Sequence, residues 1–203
     1  MVQDNKTELL RHIKEEVLDL KESSLYKERT KNKVFPVIGE GNHSAAIMFV
    51  GEAPGRNEAA TGRPFCGAAG KILDELLFGA GIDRKSVYIT NIVKDRPPMN
   101  RDPFPEEIAA YAPFLDRQIN IIQPQVIATL GRFSMKYIME KFGLEESLDS
   151  ISNIHGKAFS AKAEYGPVKI IPFFHPATAL YKGEIKEVLK KDFEILKEFG
   201  VLG

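Results

Sequence analysis

The run Ile47-Met48-Phe49-Val50-Gly51-Glu52-Ala53-Pro54-Gly55 sets four consecutive apolar residues directly before two glycines and a proline. Short, apolar at every position and cut off by turn residues, it reads as a buried parallel strand entering a functional turn. The same grammar returns three times. Val87-Tyr88-Ile89 leads into Thr90-Asn91, and Val126-Ile127-Ala128-Thr129-Leu130 into Gly131-Arg132. Val168-Lys169-Ile170-Ile171-Pro172 leads into Phe173-Phe174-His175-Pro176. Helical patterns lie between these strands, at Gly67–Ala80, Pro105–Gln123 and Phe133–Lys141. Strands alternating with helices predict an α/β fold, a parallel sheet covered on both faces. Ligands of such sheets bind beyond the carboxyl ends of the strands, so the site is expected there.

Outward from this centre, residues 7–22 carry an apolar helical stripe with Thr7 as the expected N-cap. Glu22 to Lys33 reads as a polar connector, and Val34 to Ile38 as a short edge strand. Asp192 to Phe199 closes the chain, with Phe193, Leu196 and Phe199 at helical spacing. There is no internal repeat, low-complexity tract or second-domain boundary. The 203 residues are therefore expected to form a single domain, which at this size buries about 70% of the unfolded chain's surface.

Composition narrows the function classes. With 43% hydrophobic and 28% charged residues the chain is too apolar for disorder. Lys plus Arg equals Asp plus Glu at 28 each, so any basic patch must be local. One cysteine, Cys66, excludes an internal disulfide and a cysteine-rich metal site. No run of eighteen apolar residues is present to span a membrane, and the N-terminal Met1–Leu10 has no apolar core of the signal-peptide kind. The expected compartment is the cytoplasm.

Three segments could carry chemistry. Glycines at 51, 55, 62, 67 and 70 let backbone amides approach a ligand, although the spacing is neither a P-loop nor G-x-G-x-x-G. Asn91 at a strand end can offer one acceptor and one donor to a planar base edge; a turn cap is the bland alternative. Lys94, Arg96 and Arg101, within eight residues and broken by prolines, could face phosphates, as could a solvated loop. Of the four histidines, His175 alone stands immediately beyond a buried strand, where it could donate to a developing oxyanion. No second His or Asp stands at ligand spacing from it, so no metal site is expected.

Taken together, Gly51-Glu52-Ala53-Pro54-Gly55, Gly62-Arg63-Pro64-Phe65, Thr90-Asn91-Ile92-Val93-Lys94, Arg96-Pro97-Pro98, Leu130-Gly131-Arg132 and His175-Pro176-Ala177 occur in that order. In this order they resemble the uracil-DNA glycosylase superfamily, most of all its family 4, over about residues 25–199. The resemblance implies a three-layer α/β/α sandwich on a central four-stranded parallel sheet. It also implies hydrolysis of the N-glycosidic bond of deoxyuridine in DNA after base flipping, which initiates base-excision repair. Carried over by position, Phe65 stacks on the flipped base, Asn91 reads N3–H and O4 of uracil, and His175 hydrogen-bonds O2 of the leaving anion. Glu52 and the backbone at Ala53 hold the attacking water. Family 1 has an aspartate where Ala53 stands, so catalysis here leans on positioning more than on a strong base. Glu58 stands where family 4 screens out the thymine methyl group. Gly131, Arg132, Arg101, Leu180 (as a wedge) and Lys182 are the implied DNA contacts, and a monomer is the family habit.

Two departures stand out. Family 4 normally carries a [4Fe–4S] cluster on four cysteines, whose positions here are Leu20, Ser23, Asp95 and Tyr111. No cluster or other cofactor is expected, with the region held by ordinary packing and Leu20 and Tyr111 as apolar replacements. After His-Pro-Ala, the family arginine is Tyr181, with Lys182 beside it. Two alternatives follow: a homologue that binds DNA or a base with little or no cleavage, and a glycosylase for another deaminated base such as hypoxanthine.

Overall fold

Because Ile47–Val50 is apolar at every position, the strand has two faces to bury, and the alternation of strand side chains divides them cleanly. In a computed structural model describing residues 2–199, with side chains from residue 5, Met48 and Val50 enter one core and Ile47 and Phe49 the other. In chain order the elements are α1 (Val2–Leu18), α2 (Ser24–Asn32), β1 (Glu40–Gly41), β2 (Ile47–Gly51), α3 (Arg56–Thr61), α4 (Ala68–Gly79) and β3 (Tyr88–Asn91). There follow α5 (Pro105–Ile122), β4 (Val126–Leu130), α6 (Arg132–Lys141), α7 (Ile151–Ile154), β5 (Phe159–Ala163), β6 (Gly166–Phe173) and α8 (Gly183–Phe193), with short 3-10 turns between them.

The first core joins Ile13 and Val17 of α1, Leu115 and Ile119 of α5 and Ile138 of α6 to one sheet face. The second joins Leu73, Leu76 and Leu77 of α4 and Leu189 and Phe193 of α8 to the other. The three-layer α/β/α sandwich is thus present. The four predicted strands are its parallel centre, in the order β3-β2-β4-β6. Gly51 lies beside Asn91, and Leu130 beside Phe173, so the four strand ends form one edge. Strand order reverses at β2, which makes that edge the expected ligand crevice.

The sheet is wider than expected. Two antiparallel strands, β1 on β3 and β5 on β6, bring the described sheet to six. β1 is two residues long, and β5 reads Phe-Ser-Ala-Lys-Ala with Ser160 and Lys162 exposed, so neither carries an apolar run. Val34–Ile38 is not a strand: Val37 N–H donates to the Lys94 carbonyl (2.8 Å) outside any ladder. The expected connector at 22–33 contains α2, capped by Ser23; its only buried residues are Leu25 and Arg29, and a buried arginine hides the helical stripe. Thr7 lies inside α1 rather than capping it, its hydroxyl 2.9 Å from His43 Nδ1. The closing helix is α8, followed by a 3-10 turn over Glu194–Glu198. No helix among the described residues is long and apolar enough to cross a membrane.

Candidate active site

The edge formed by the strand ends holds a cavity of about 360 Å³, lined among others by Glu52, Ala53, Glu58, Phe65, Asn91 and His175. Three separate turns deliver these side chains. Gly51 ends β2 where a Cβ would come within 2.3 Å of Asn91 Oδ1 and 2.8 Å of Phe65 Cζ, so only glycine lets amide and ring close on this spot. Asn91 ends β3 and is 1% exposed, yet neither Nδ2 nor Oδ1 has a hydrogen-bond partner. Each such buried orphan costs about 1–3 kcal/mol, a cost that a ligand offering the complementary acceptor and donor would remove.

Phe65 adopts a left-handed φ of 46° and its ring lies 5.7 Å from that of His175, at 30° to it. The loop is clamped from two sides. Glu58 Oε1 accepts from the amides of Cys66 (3.0 Å) and Gly67 (2.8 Å), and a Cβ on Gly70 would stand 1.9 Å from the Phe65 carbonyl oxygen. Glu58 therefore lines the cavity with a carboxylate already committed to shaping the Phe65 turn.

His175 follows β6, and its Nδ1 accepts from the Ala177 amide at 3.1 Å. That bond assigns the proton to Nε2, leaving a neutral ring with one N–H to donate. Burial pulls its pKa down to about 4, against an opposing pull from the Glu58 carboxylate, so the ring is uncharged at neutral pH. Gly131, at φ 96°, presses against this ring: a Cβ there would meet His175 Cβ at 3.2 Å. Gly131 thus backs the histidine and does not line the cavity.

Glu52, half-buried, has its carboxyl pushed up to about 7, by burial first and by the nearby Asp102 second, with Arg132 opposing. A carboxyl poised near neutrality can exchange a proton with water under working conditions. Arg132 itself pairs with Asp102 at 2.5 Å on the exposed rim. Arg101 reaches the cavity wall, but its guanidinium is held in a two-point pair by buried Glu107 (2.8 and 2.7 Å) and stacks 3.7 Å over Phe104. Leu180 ends the 3-10 turn Pro176–Leu180, 44% exposed; Tyr181 is more exposed still, and Lys182 caps α8.

Lys94 contradicts the phosphate-facing reading. It is fully buried, and its Nζ donates to Thr90 Oγ1 (2.8 Å), the Asn91 carbonyl (2.6 Å) and Gln118 Oε1 (2.6 Å). Three acceptors use all three ammonium donors, while burial lowers its pKa. The residue braces the strand end that carries Asn91. Sequence reasoning missed this, and with it Gln118 and Asp102; the one available signal was that Lys94 directly follows the apolar pair Ile92-Val93.

The four positions of the family cluster do not offer a cluster's ligands. Tyr111 Oη donates to Asp95 Oδ2 at 2.6 Å, and Arg29 Nη1 lies 3.2 and 3.1 Å from the two Asp95 oxygens. Arg29 also donates to the Val17 (3.0 Å) and Leu18 (2.6 Å) carbonyls at the end of α1. Ser23 accepts from the Leu25 amide, and Leu20 packs on the first core. This is an ionic and hydrogen-bonded knot, where apolar replacement by Tyr111 was expected. Iron–sulfur clusters are held by thiolates, and the only cysteine in the chain, Cys66, lies beside the Phe65 turn, so these residues do not fit such a group. Among the described residues no set of three His, Cys, Asp or Glu could hold a metal ion.

Comparison with known proteins agrees with this geometry. The sequence model described as "Uracil DNA glycosylase superfamily" matches residues 38–197. A protein named type-4 uracil-DNA glycosylase from Sulfurisphaera tokodaii is 47% identical over 95% of this chain and 85% of its own length. Proteins of the same name from Archaeoglobus fulgidus (43% identical, 94% and 93% covered) and Saccharolobus solfataricus (45%, 92% and 84%) are similar to it as well. With a family match over most of its length and these relatives covered over most of theirs, the chain belongs to the uracil DNA glycosylase superfamily and is a DNA glycosylase.

Proposed function

We propose that this protein hydrolyses the bond between uracil and deoxyribose in DNA, after the nucleotide has turned out of the stack into the cavity at the strand ends. The observation that carries the reading is the buried, unpartnered amide of Asn91. Its Oδ1 would accept from uracil N3–H and its Nδ2 would donate to O4. Cytosine presents the opposite pattern at both atoms and would leave the amide unpaired. Phe65 would stack on the base, an interaction of about 1–3 kcal/mol. Glu58, fixed in the same wall, would crowd the C5 position where thymine carries its methyl group.

The C1′–N1 bond breaks with its electron pair going to uracil, which leaves as an anion. His175 Nε2–H donates to O2, where that charge collects. Water held by Glu52 and the backbone at Ala53 adds its oxygen to C1′ and yields a proton to the Glu52 carboxylate. Arg132, Leu180 and Lys182 would meet the DNA strand around the opening, with Leu180 as a wedge, while Arg101, held by Glu107, and Gly131, behind His175, would shape the wall instead. We infer that one domain does this as a monomer in the cytoplasm, at the start of base-excision repair, and without an iron–sulfur cluster. The missing thiolates and the closed Arg29–Asp95–Tyr111 knot support that last point.

The test is to incubate purified, chelator-treated protein with duplexes carrying uracil or hypoxanthine and to look for alkali-labile abasic sites. Cleavage at uracil that disappears in His175→Ala is expected. Binding of uracil duplex without cleavage would instead make the protein a base-binding homologue, and cleavage at hypoxanthine alone would change the substrate.

A further inference from the structure

A second cavity of about 350 Å³ adjoins the first, and Pro97 and Asn100 line both. Its chemistry is unlike that of the base cavity. Three guanidinium groups, from Arg29, Arg56 and Arg96, and one carboxylate, from Glu28, line it. Two of the four charges are already committed: Arg29 is paired with Asp95 and donates to two carbonyls, and Glu28 Oε1 accepts from Asn32 Nδ2 at 2.7 Å. The other two are open. Arg56 makes no ion pair or hydrogen bond among the described residues, and Arg96 uses only Nε, donating to Asn100 Oδ1 at 2.6 Å. Met99, 91% exposed, and Asn100 both hold left-handed backbone (φ 54° and 55°), so the turn dividing the cavities is kept in a conformation that ordinary residues avoid.

We propose that this second cavity seats a backbone phosphate flanking the flipped nucleotide, with Arg56 and the free terminal nitrogens of Arg96 as its ligands. A planar guanidinium fork matches phosphate oxygens at two points, and two forks over one cavity favour an anionic strand such as DNA over a neutral ligand. The shared wall of Pro97 and Asn100 sets this seat directly beside the base cavity. Fixing the backbone there would hold the sugar over the first cavity while the base enters it. The inference rests on the reading that the first cavity receives uracil from DNA.

The test replaces single phosphates on either side of uracil with neutral methylphosphonates in a duplex, and measures binding to the wild type and to the Arg56→Ala/Arg96→Ala double variant. One flanking substitution should weaken wild-type binding about tenfold. The double variant should lose a similar factor and then show no further loss with that substituted duplex, which is the signature of one shared contact. The slope of log affinity against log salt should fall by about 0.9 for the phosphate lost. Both arginines reach solvent, so thermal midpoints should not move, and the Arg56→Lys/Arg96→Lys double variant should recover part of the binding and of the salt slope. A full methylphosphonate effect in the double alanine variant, or unchanged binding by that variant, would overturn the seat. Failure of the function reading looks different: the wild type would bind through these arginines yet leave uracil uncut.

Discussion

Asn91 and Asp95 stand four residues apart on the segment leaving β3, both at most 1% exposed, and their surroundings are opposite. Around Asp95 the carboxylate is fully answered: both of its oxygens meet Arg29, one also takes the Tyr111 hydroxyl, and Arg29 closes the last carbonyls of α1. At Asn91 the backbone is answered by Lys94, but the side-chain amide has no partner. A saturated buried network is architecture, because breaking it exposes charges to a medium that cannot solvate them. An unsaturated buried amide beside a cavity is a stored capacity for a ligand. The contrast separates what holds this protein together from what it works with.

The comparison breaks most sharply at Asp95. Asp95→Ala would strand a buried guanidinium and a phenol, at a cost of about 3–5 kcal/mol in urea unfolding, while cleavage per folded molecule should change little. Unfolding at the wild-type midpoint would show that the knot is not what joins α1 and α2 to the sheet. The next largest effect should run the other way. Asn91→Ala and His175→Ala should each slow cleavage by about 10²–10³-fold in single-turnover assays. The stability of Asn91→Ala should hold or rise, because two unpaired polar atoms leave the interior. A large loss of stability in that variant would erase the distinction.

A finer contrast concerns pH. The Glu52 carboxyl is raised from 4.5 to about 7, so between those values the folded protein holds a proton that the unfolded chain has released. Its stabilising contribution is therefore full below pH 4.5 and lost as pH rises through 7, whereas water activation needs the ionised form. Cleavage should climb through about pH 7 as stability declines. Glu52→Gln should flatten both trends, and an unchanged acid limb in that variant would assign the limb elsewhere. His175 cannot supply it, since its ring is neutral above about pH 4.

The four central strands, their burial and the turns that reach the cavity were legible because each depends on local grammar, whereas Glu52, Glu58 and Phe65 were singled out only by the family resemblance. Ile47–Val50, Val126–Leu130 and their counterparts are apolar at every position, and the turns that follow carry the glycines, Asn91 and His175. The half-exposed β5 and the arginine-centred α2 were illegible for the same reason, as neither writes a hydrophobic period into the chain. Charge was the least legible feature. Lys94, Arg96 and Arg101 look alike as a basic loop, yet one is fully buried, one borders the second cavity and one is locked to Glu107.

By itself the sequence determined the α/β fold, the sheet edge that carries the candidate site, the family, and the absence of thiolates for a cluster. Only the tertiary structure decided which polar groups are satisfied. That property belongs to pairs far apart in the chain: Arg29 with Asp95, Lys94 with Gln118, Arg101 with Glu107. A side chain's charge and hydrogen-bonding capacity are written at its own position, but whether they are spent on the fold or left open for a ligand depends on what folding brings alongside.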